Sequence, residues 1–203
     1  MYLVRVPSSL SHGMAAVAIG SVMVPRALVR PFLLTGAVCA VLPDLDGIGR
    51  WWYGAAGDVE LLGGHRGFTH SLTYAALCGV LAAIAMLPSA RWNGLRLRFG
   101  VFIALATASH GVLDALTSIG AKASPVQFFS PFSTEGYTSA WQPIHGPFSE
   151  LFLLLLPLIA LTRIICRGRG IPWPRWRAPG PLTLGLTMTS RSGQSGPKSD
   201  GDS

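Results

Sequence analysis

Residues 99–120 have the sequence FGVFIALATASHGVLDALTSIG, a long apolar run with few ionisable side chains. Its length is close to the roughly 20 residues with which a helix crosses the hydrocarbon core of a bilayer. Residues 68–88 and 148–166 form two more runs of similar length, and two shorter runs precede them at residues 14–30 and 32–43. The chain is therefore predicted to be all-α, an integral membrane bundle of about four to five apolar helices.

The composition agrees with a membrane protein. Half of the 203 residues are hydrophobic, only 12% are charged, and the mean hydropathy is +0.45. In soluble domains about a quarter of all residues are charged. The length leaves little room for a separate soluble catalytic domain, so any chemistry belongs to the bundle itself. The three cysteines lie in apolar runs and match neither a disulfide framework nor a CxxC metal site.

The basic residues are distributed unevenly between the two ends of the predicted helices. Ten of them fall on one side: Arg26, Arg30, Arg91, Arg96, Arg98, Arg163, Arg167, Arg169, Arg175 and Arg177. The other side has Arg5, Arg50, Arg66 and Lys122. Because cytoplasmic loops of membrane proteins are enriched in Lys and Arg, the first side is predicted to be cytoplasmic. This bias accounts for most of the net charge of +7, and no nucleic-acid partner is expected.

The chain is predicted to have two parts. Residues 1–170 form a membrane-embedded domain, and residues 171–203 form a basic C-terminal tail rich in Ser, Gly and Pro. A tail of this composition cannot bury enough apolar surface to fold and is predicted to be disordered. The expected location is the inner (plasma) membrane, crossed several times, with the C-terminus in the cytoplasm.

Side chains that bind metals are concentrated in four short polar islands at the ends of the apolar runs. The islands are SHG at 11–13, LPDLDG at 42–47, HRGFTHS at 65–71 and SHGVLD at 109–114. In the topology drawn from the arginines, every island lies at the outer, non-cytoplasmic end of its segment. The bundle is thus predicted to have one polar metal-binding face with seven candidate ligands: His12, Asp44, Asp46, His65, His70, His110 and Asp114.

Spacing supports this interpretation for two pairs. His110 and Asp114 are four residues apart, so on a helix they lie on one face and can bind one ion or adjacent ions. Asp44 and Asp46 are expected to point to the same side of an extended stretch, where two like charges need a cation or a raised pKa. Structural explanations stay open: His110 can hydrogen-bond Asp114 or a backbone carbonyl, and the aspartates suit a solvated turn.

The third island carries a cation and two histidines. Arg66 stands between His65 and His70, where its guanidinium can bind a phosphate or carboxylate oxygen or extend to lipid headgroups. Thr69 is expected to be the N-cap of the helix that follows, which lets His65 fold back towards His70. Arg66 and Asp46 are the candidate catalytic residues.

Imidazole nitrogens with carboxylate oxygens are the ligands of Zn²⁺ or, with more oxygen, of Mn²⁺ or Fe²⁺. Seven candidates exceed one tetrahedral ion and predict two or more zinc ions, with manganese as the alternative. Two ions roughly 3.5–4 Å apart clamp the attacking and leaving oxygens in phosphoester hydrolysis. No GxSxG, GxxxxGK[ST] or GxGxxG motif is present, which excludes serine-hydrolase, P-loop and dinucleotide-binding classes.

The islands resemble those of the membrane-bound metal-dependent hydrolases of the YdjM type, which are associated with the inner membrane. The matching elements are SHG, LPDLD, HRGFTHS and SHGVLDALT, together with FFSPFS at 128–133. The resemblance covers residues 11 to 150 and implies a multispanning membrane protein with a hydrolase role.

The order His, Asp, His, His-x-x-x-Asp is also similar to that of the zinc-dependent phospholipase C and P1 nuclease superfamily. That similarity implies His12, Asp44, His65 or His70, His110 and Asp114 as ligands. Members of the superfamily end with a His and a Glu one helical turn apart, whereas His145 and Glu150 are five residues apart here. A third metal is therefore in doubt.

The function predicted from the sequence is a membrane-bound metal-dependent hydrolase. Its substrate is expected to be a phosphoester or other ester in a lipid-like molecule or headgroup, cleaved by metal-activated water. Two alternatives stay open: an ion or proton transporter that uses the same His and Asp residues, and a structural membrane protein whose metal ties helices together. The lipid bilayer is the only partner that the sequence indicates.

Overall fold

A computed structural model of the protein describes residues 9–25, 29–47, 64, 66–88, 94–117 and 125–171. These residues form five α-helices and two short 3-10 helices. The α-helices are α1 (Ser9–Met23), α2 (Val29–Val41), α3 (Leu72–Ala85), α4 (Arg96–Ala115) and α5 (Pro147–Gly168). The 3-10 helices are Leu42–Gly47 after α2 and Phe68–His70 before α3. The predicted all-α fold is confirmed, since the described part of the chain contains only two isolated β-bridges and no strand.

The length and apolarity of α4 and α5 are sufficient for each to cross a membrane. The helix α5 contains a π-helical segment at Leu151–Leu155. Apolar helices α1 and α3 are shorter. The predicted C-terminal tail, residues 171–203, lies outside the described residues except for Ile171.

The first helix begins earlier than the apolar run that predicted it. Residues 14–30 indicated a helix, but α1 spans Ser9–Met23 and so includes Ser11 and His12. Both of these polar side chains are fully buried. The predicted helix left them out because its bounds followed apolarity, whereas these residues are kept inside the bundle by polar contacts with other helices. Pro25 follows closely after the end of α1, as a residue that cannot continue a helix commonly does.

Helix α4 occupies the centre of the bundle and packs against α1, α2 and α3. The ring of Phe102 on α4 is completely buried and lies against two glycines. A Cβ at Gly20 of α1 would lie 2.9 Å from this ring, and one at Gly36 of α2 would lie 2.2 Å from it. The absence of side chains at both glycines therefore makes the space that the phenylalanine fills.

Helices α3 and α4 approach each other more closely than side chains normally permit. A Cβ at Gly79 of α3 would lie 2.6 Å from the carbonyl oxygen of Gly100, and one at Gly100 would lie 2.7 Å from that of Gly79. Small residues at a crossing bring two backbones together, which is a common basis of helix association in membranes.

Helix α5 packs on the outside of the bundle against α1, and its apolar surface is largely exposed. Its C-terminal end is tied to α1 by Arg169, whose guanidinium donates hydrogen bonds to the carbonyls of Ser21, Val22 and Val24, the last two at 2.9 Å. These carbonyls lie at the C-terminal end of α1, where helical hydrogen bonds are missing, so Arg169 satisfies them.

The polar islands lie at one end of this bundle. That end consists of the start of α1, the end of α2, the start of α3, the end of α4 and the start of α5. The segment 125–146 joins α4 to α5 there. Ser139 N donates to Ala115 O at 3.1 Å, and Thr117 forms an isolated bridge with Ile144. The end that carries the islands is called the site end below.

Candidate metal centre

Asp114 is at the centre of a cluster of buried ionisable side chains. It lies in the last turn of α4 and is completely buried. Its Oδ2 is 3.2 Å from Arg66 Nε, 3.4 Å from His70 Nε2 and 3.8 Å from His110 Nε2. Its Oδ1 is 3.6 Å from His12 Nε2. One carboxylate thus faces three imidazoles and a guanidinium that come from three different parts of the chain.

The ring of His110 is fixed by a backbone contact. Its Nδ1 lies 2.7 Å from the carbonyl oxygen of Ala40, near the end of α2. Because a carbonyl only accepts, Nδ1 carries the proton and Nε2 of a neutral ring keeps its lone pair. This Nε2 is 3.1 Å from His70 Nε2 and 3.3 Å from Asp44 Oδ1. The ring also stacks on His12, with centroids 3.8 Å apart.

The ring of His70 is held from behind by Asp46 and Thr69. Its Nδ1 is 3.4 Å from Asp46 Oδ2 and 3.0 Å from Thr69 Oγ1, and Thr69 donates a hydrogen bond to Asp46. The other ring nitrogen, Nε2, faces His110 and Asp114. A carboxylate behind a histidine is the arrangement that orients metal-binding imidazoles in many proteins.

Asp44 and Asp46 approach the cluster from different directions, so the expectation that they point to the same side is wrong. They lie in the 3-10 helix Leu42–Gly47 and not in an extended stretch. With three residues per turn, side chains two positions apart diverge instead of aligning. Asp44 consequently contacts His110, whereas Asp46 contacts Thr69 and His70.

Two sets of three ligand atoms lie within 4.8 Å of one another and could hold a metal ion: His12, Asp44 and His110, and His70, His110 and Asp114. Both nitrogens of His12 and both carboxylate oxygens of Asp114 are buried with no hydrogen-bond partner among the described residues. Leaving a buried polar atom unsatisfied costs about 1–3 kcal/mol, and more for a charged group. A divalent cation would satisfy one nitrogen of His12 and the carboxylate oxygens of Asp114, so the donor set fits a metal.

The charges in the two 3-10 helices agree with a cation site. Burial alone would raise the pKa of Asp44, but the contact with His110 has the larger effect, and the net result is a lowered pKa. Burial lowers the pKa of His70, but the carboxylates of Asp114 and Asp46 outweigh it and raise the pKa to about 9. The raised pKa of His70 shows that the carboxylates of Asp114 and Asp46 favour positive charge at this point, and a metal ion that binds His70 would have to displace its proton.

Arg66 reaches Asp114 from a strained backbone position. Its φ is 71°, in the left-handed region that residues with a side chain rarely adopt. The peptide is held there by a turn in which Gly67 N donates to Gly64 O at 3.0 Å, and Gln127 N donates to Arg66 O at 3.0 Å. Such strain persists only where surrounding contacts enforce it and is concentrated at functional sites.

Comparison with known proteins agrees with the membrane fold. A family model described as YdjM inner membrane protein matches residues 8–190 of the chain. The chain belongs to the YdjM family. A relative, the Inner membrane protein YbcI of Escherichia coli (strain K12), is 32% identical over 146 residues, which cover 70% of this chain and 79% of that protein. No solved structure matches the chain.

Membership of the YdjM family confirms the resemblance read from the four islands. It also supports a location in the inner membrane and an association with the lipid bilayer. Neither comparison mentions the zinc-dependent phospholipase C and P1 nuclease superfamily, so that more distant similarity has no support.

The YdjM-family structure brings together most of the predicted site residues. His12, Asp44, Arg66, His70, His110 and Asp114 form the cluster, and Asp46 stands behind His70. His65 lies outside the described residues. His145 is exposed and contributes its backbone nitrogen, but no ring atom, to a hydrogen bond with Ser149.

The prediction from the sequence missed or misassigned several residues that support the cluster. Thr69 is not the helix N-cap: Ser71 caps α3 by accepting a hydrogen bond from Tyr74 N at 3.0 Å. Thr69 bonds to Asp46 instead. Ser11, next to His12, donates to Glu150 Oε1 of α5. The SHG and HRGFTHS islands were the signal for Ser11 and Thr69, but no local pattern indicates the carbonyl of Ala40.

Proposed function

We propose that the protein is a membrane-bound metal-dependent hydrolase. The observation that carries this proposal is the convergence of three imidazoles and two carboxylates from separate elements on one buried point. Burying so many ionisable groups is costly, and in membrane proteins such groups are usually functional. The reaction class is hydrolysis of a phosphoester or other ester in a lipid-like molecule or headgroup.

The residues that would hold the metal are His12, Asp44, His70, His110 and Asp114. Imidazole nitrogens and carboxylate oxygens favour Zn²⁺, with Mn²⁺ as the alternative. A cation bound there would lower the pKa of a bound water and stabilise negative charge on ester oxygens.

The number of ions that the cluster could hold depends on how the two three-ligand sets share their ligands. His110 belongs to both sets, but its Nδ1 is bonded to Ala40 O and Nε2 has one lone pair to give. Asp114 has two oxygens, of which Oδ1 faces His12 and Oδ2 faces His70. Asp114 would therefore offer one oxygen on the side of His12 and the other on the side of His70.

The remaining residues position the ligands. Asp46 and Thr69 orient His70, and the carbonyl of Ala40 orients His110. Asp46 is thus assigned a positioning role in place of the catalytic role suggested by the sequence. Arg66, whose Nε is 3.2 Å from Asp114, holds this carboxylate in place and adds positive charge beside the site for an anionic substrate.

The orientation proposed for the bundle places the site end on the non-cytoplasmic side. Among the described residues, the opposite end carries the starts of α2 and α4 and the end of α5, with Arg30, Arg96, Arg98, Arg163, Arg167 and Arg169. At the site end, the described basic residue is Arg66, which is buried. This distribution supports the positive-inside orientation, with a cytoplasmic C-terminus.

The experiment is metal analysis by inductively coupled plasma mass spectrometry on detergent-purified protein, with hydrolysis assayed on the same samples. Wild type is compared with Asp114→Asn, His110→Asn and the exposed control Glu135→Gln. We expect about two zinc or manganese ions per chain in wild type and control, and loss of both metal and hydrolysis in the two site variants. Stoichiometric metal and full hydrolysis in both site variants would overturn the proposal.

A structural role for the metal is the second candidate. The observation that favours it is that the ligands come from α1, α4 and both 3-10 helices, so a cation would also tie these elements together. Chelation separates the two roles, because a structural metal stabilises folding itself. Chelated protein that stays folded but loses hydrolysis, and regains it with zinc, supports the hydrolase.

A further inference from the structure

The depth of the cluster in the bundle is set by its position on α4. This helix has 20 residues, and at 1.5 Å per residue it is about 30 Å long, which matches the hydrocarbon thickness of a bilayer. Asp114 is the residue before its last, and His110 lies about 8 Å from the same end by this rise. The cluster consequently lies at the boundary between hydrocarbon and headgroups, where the ester bonds of phospholipids are located.

Four aromatic side chains are exposed at this same level. They belong to segment 125–146 and the first turn of α5, and their exposed fractions are 49% for Phe129, 85% for Phe132, 72% for Trp141 and 78% for Phe148. These four residues are called the aromatic collar. An aromatic side chain can bury about 150–250 Å² of mostly apolar surface, so leaving four of them exposed to water would be unfavourable.

Backbone contacts hold the collar beside the helix ends. Phe128 O, next to Phe129, accepts a hydrogen bond from Leu72 N at 2.9 Å, at the start of α3. Ser139 N, two residues before Trp141, donates to Ala115 O at the end of α4. The backbone next to Phe129 and Trp141 is thus held at the helix ends that carry the cluster.

The collar is also continuous with the lipid-facing surface. Phe148 is followed one turn later by Phe152, which is 61% exposed, and from there by the exposed apolar side chains of α5. Tryptophan at the ends of membrane helices characteristically lies among the headgroups, and phenylalanine is common on the lipid-facing side of interfacial segments. This continuity favours the bilayer interface as the surface that covers the collar.

We infer that the aromatic collar inserts into the headgroup layer and that the substrate of the site is a diacyl phospholipid from the same leaflet. The inference rests on the proposed hydrolase function and specifies its substrate class. Water adds across the ester bond: its hydroxyl goes to the phosphoryl or acyl group, and its remaining proton goes to the leaving alcohol. The lipid keeps its chains in the bilayer while its ester approaches the cluster at the same depth, on the side of Asp44, whose side chain is 20% exposed.

The first part of the test measures whether the collar meets lipid. Wild type and Trp141→Phe are reconstituted in vesicles of phosphatidylcholine brominated at shallow or deep chain positions, and tryptophan fluorescence is recorded. The chain has six tryptophans, so the difference between the two proteins isolates Trp141. Stronger shallow quenching in wild type is expected. Equal quenching of both proteins, as when a second copy or another protein covers the collar, would overturn the insertion.

The second part measures substrate choice with zinc-loaded protein. The variant Phe132→Ser/Trp141→Ser is compared with Thr134→Ser/Thr138→Ser, which alters exposed polar residues of the same segment. Release of fatty acid or phosphorylated headgroup from dioleoylphosphatidylglycerol vesicles is expected to fall about tenfold in the collar variant only. Hydrolysis of water-soluble bis(p-nitrophenyl) phosphate is expected to change less than about twofold in both.

The outcomes separate this inference from the proposed function. If wild type hydrolyses the soluble probe but not the vesicle lipid, the phospholipid inference is overturned and the hydrolase proposal stands. An equal loss on both probes in the collar variant likewise overturns the inference. If metal-loaded wild type hydrolyses neither probe, the result counts against both the hydrolase and its phospholipid substrate, while the quenching measurement still decides whether the collar is inserted.

Discussion

His110 on α4 points its Nδ1 at the carbonyl oxygen of Ala40 on α2, 2.7 Å away, and this single contact determines the direction of its other nitrogen. Nε2 is thereby aimed at Asp44 and His70. The same principle recurs at His70, where Asp46 and Thr69 take Nδ1 and leave Nε2 for the cluster. His110 and His70 thus each have one nitrogen for positioning and one for the site.

The contact of Asp46 with His70 leads to a prediction that distinguishes Asp46 from the proposed metal ligands. Asp46→Asn keeps the size of the side chain but removes the charge behind His70, so we expect metal affinity to fall about 10–100-fold while binding persists. Asp114→Asn removes a carboxylate at the centre of the proposed site and should abolish binding. Zinc titration against a competing chelator measures both, with Glu135→Gln as the control. Complete loss of zinc in Asp46→Asn would make Asp46 a direct ligand.

The close crossing of α3 and α4 makes a prediction about stability. A methyl group at Gly79 would lie 2.6 Å from the carbonyl oxygen of Gly100, a backbone atom that cannot move without separating the helices. We expect Gly79→Ala to destabilise the protein by about 1–3 kcal/mol, which lowers the Tm by roughly 2–4 °C per kcal/mol at this size. The matched control is Gly168→Ala, because a Cβ at Gly168 meets no atom within 4 Å.

Thermal unfolding in detergent, followed by circular dichroism, measures this difference. An equal Tm for the Gly79 and Gly168 variants would contradict the close approach of the two helices.

The contact of Arg169 with the end of α1 makes a third prediction. Its guanidinium donates to three carbonyls at the end of α1, and its removal leaves them unsatisfied at the α1–α5 contact. We expect Arg169→Ala to cost roughly 1–3 kcal/mol and to increase proteolysis near α5. Arg167→Ala, two residues earlier on an exposed position, removes the same charge without these bonds. Limited proteolysis and Tm of the two variants should differ, and equal values would argue against the role of Arg169.

The fold and the site were predictable to different extents. Apolar runs near the length of a membrane span indicated the helices, because burial in lipid requires such runs whatever the details of packing. The pair His110 and Asp114 was predictable from its four-residue spacing. The direction of Asp46 was not, because an extended stretch places residues two apart on the same side whereas a 3-10 helix makes them diverge, and LPDLDG suits both conformations.

Two other features depend on contacts between distant segments. The start of α1 at Ser9 was missed because Ser11 and His12 are buried by partners more than a hundred residues away, Glu150 and Asp114. The left-handed φ of Arg66 is fixed by the turn at Gly64 and by Gln127, and a sequence of Gly-His-Arg-Gly does not reveal which residue takes the strain. Long-range polar contacts leave no periodic signal in a sequence.

The uneven distribution of arginines predicts on which side of the membrane the site lies. Thr138 is exposed in segment 125–146 at the site end, and Gly168 is exposed at the end of α5 on the opposite side of the bundle. The positive-inside rule places Thr138 outside and Gly168 in the cytoplasm. In intact cells, a membrane-impermeant maleimide should therefore label Thr138→Cys and spare Gly168→Cys, and both should be labelled after lysis. The native cysteines, which lie in apolar helices, set the background measured in wild type. Labelling of Gly168→Cys alone in intact cells would reverse the orientation and place the site in the cytoplasm, where its substrate would come from the inner leaflet.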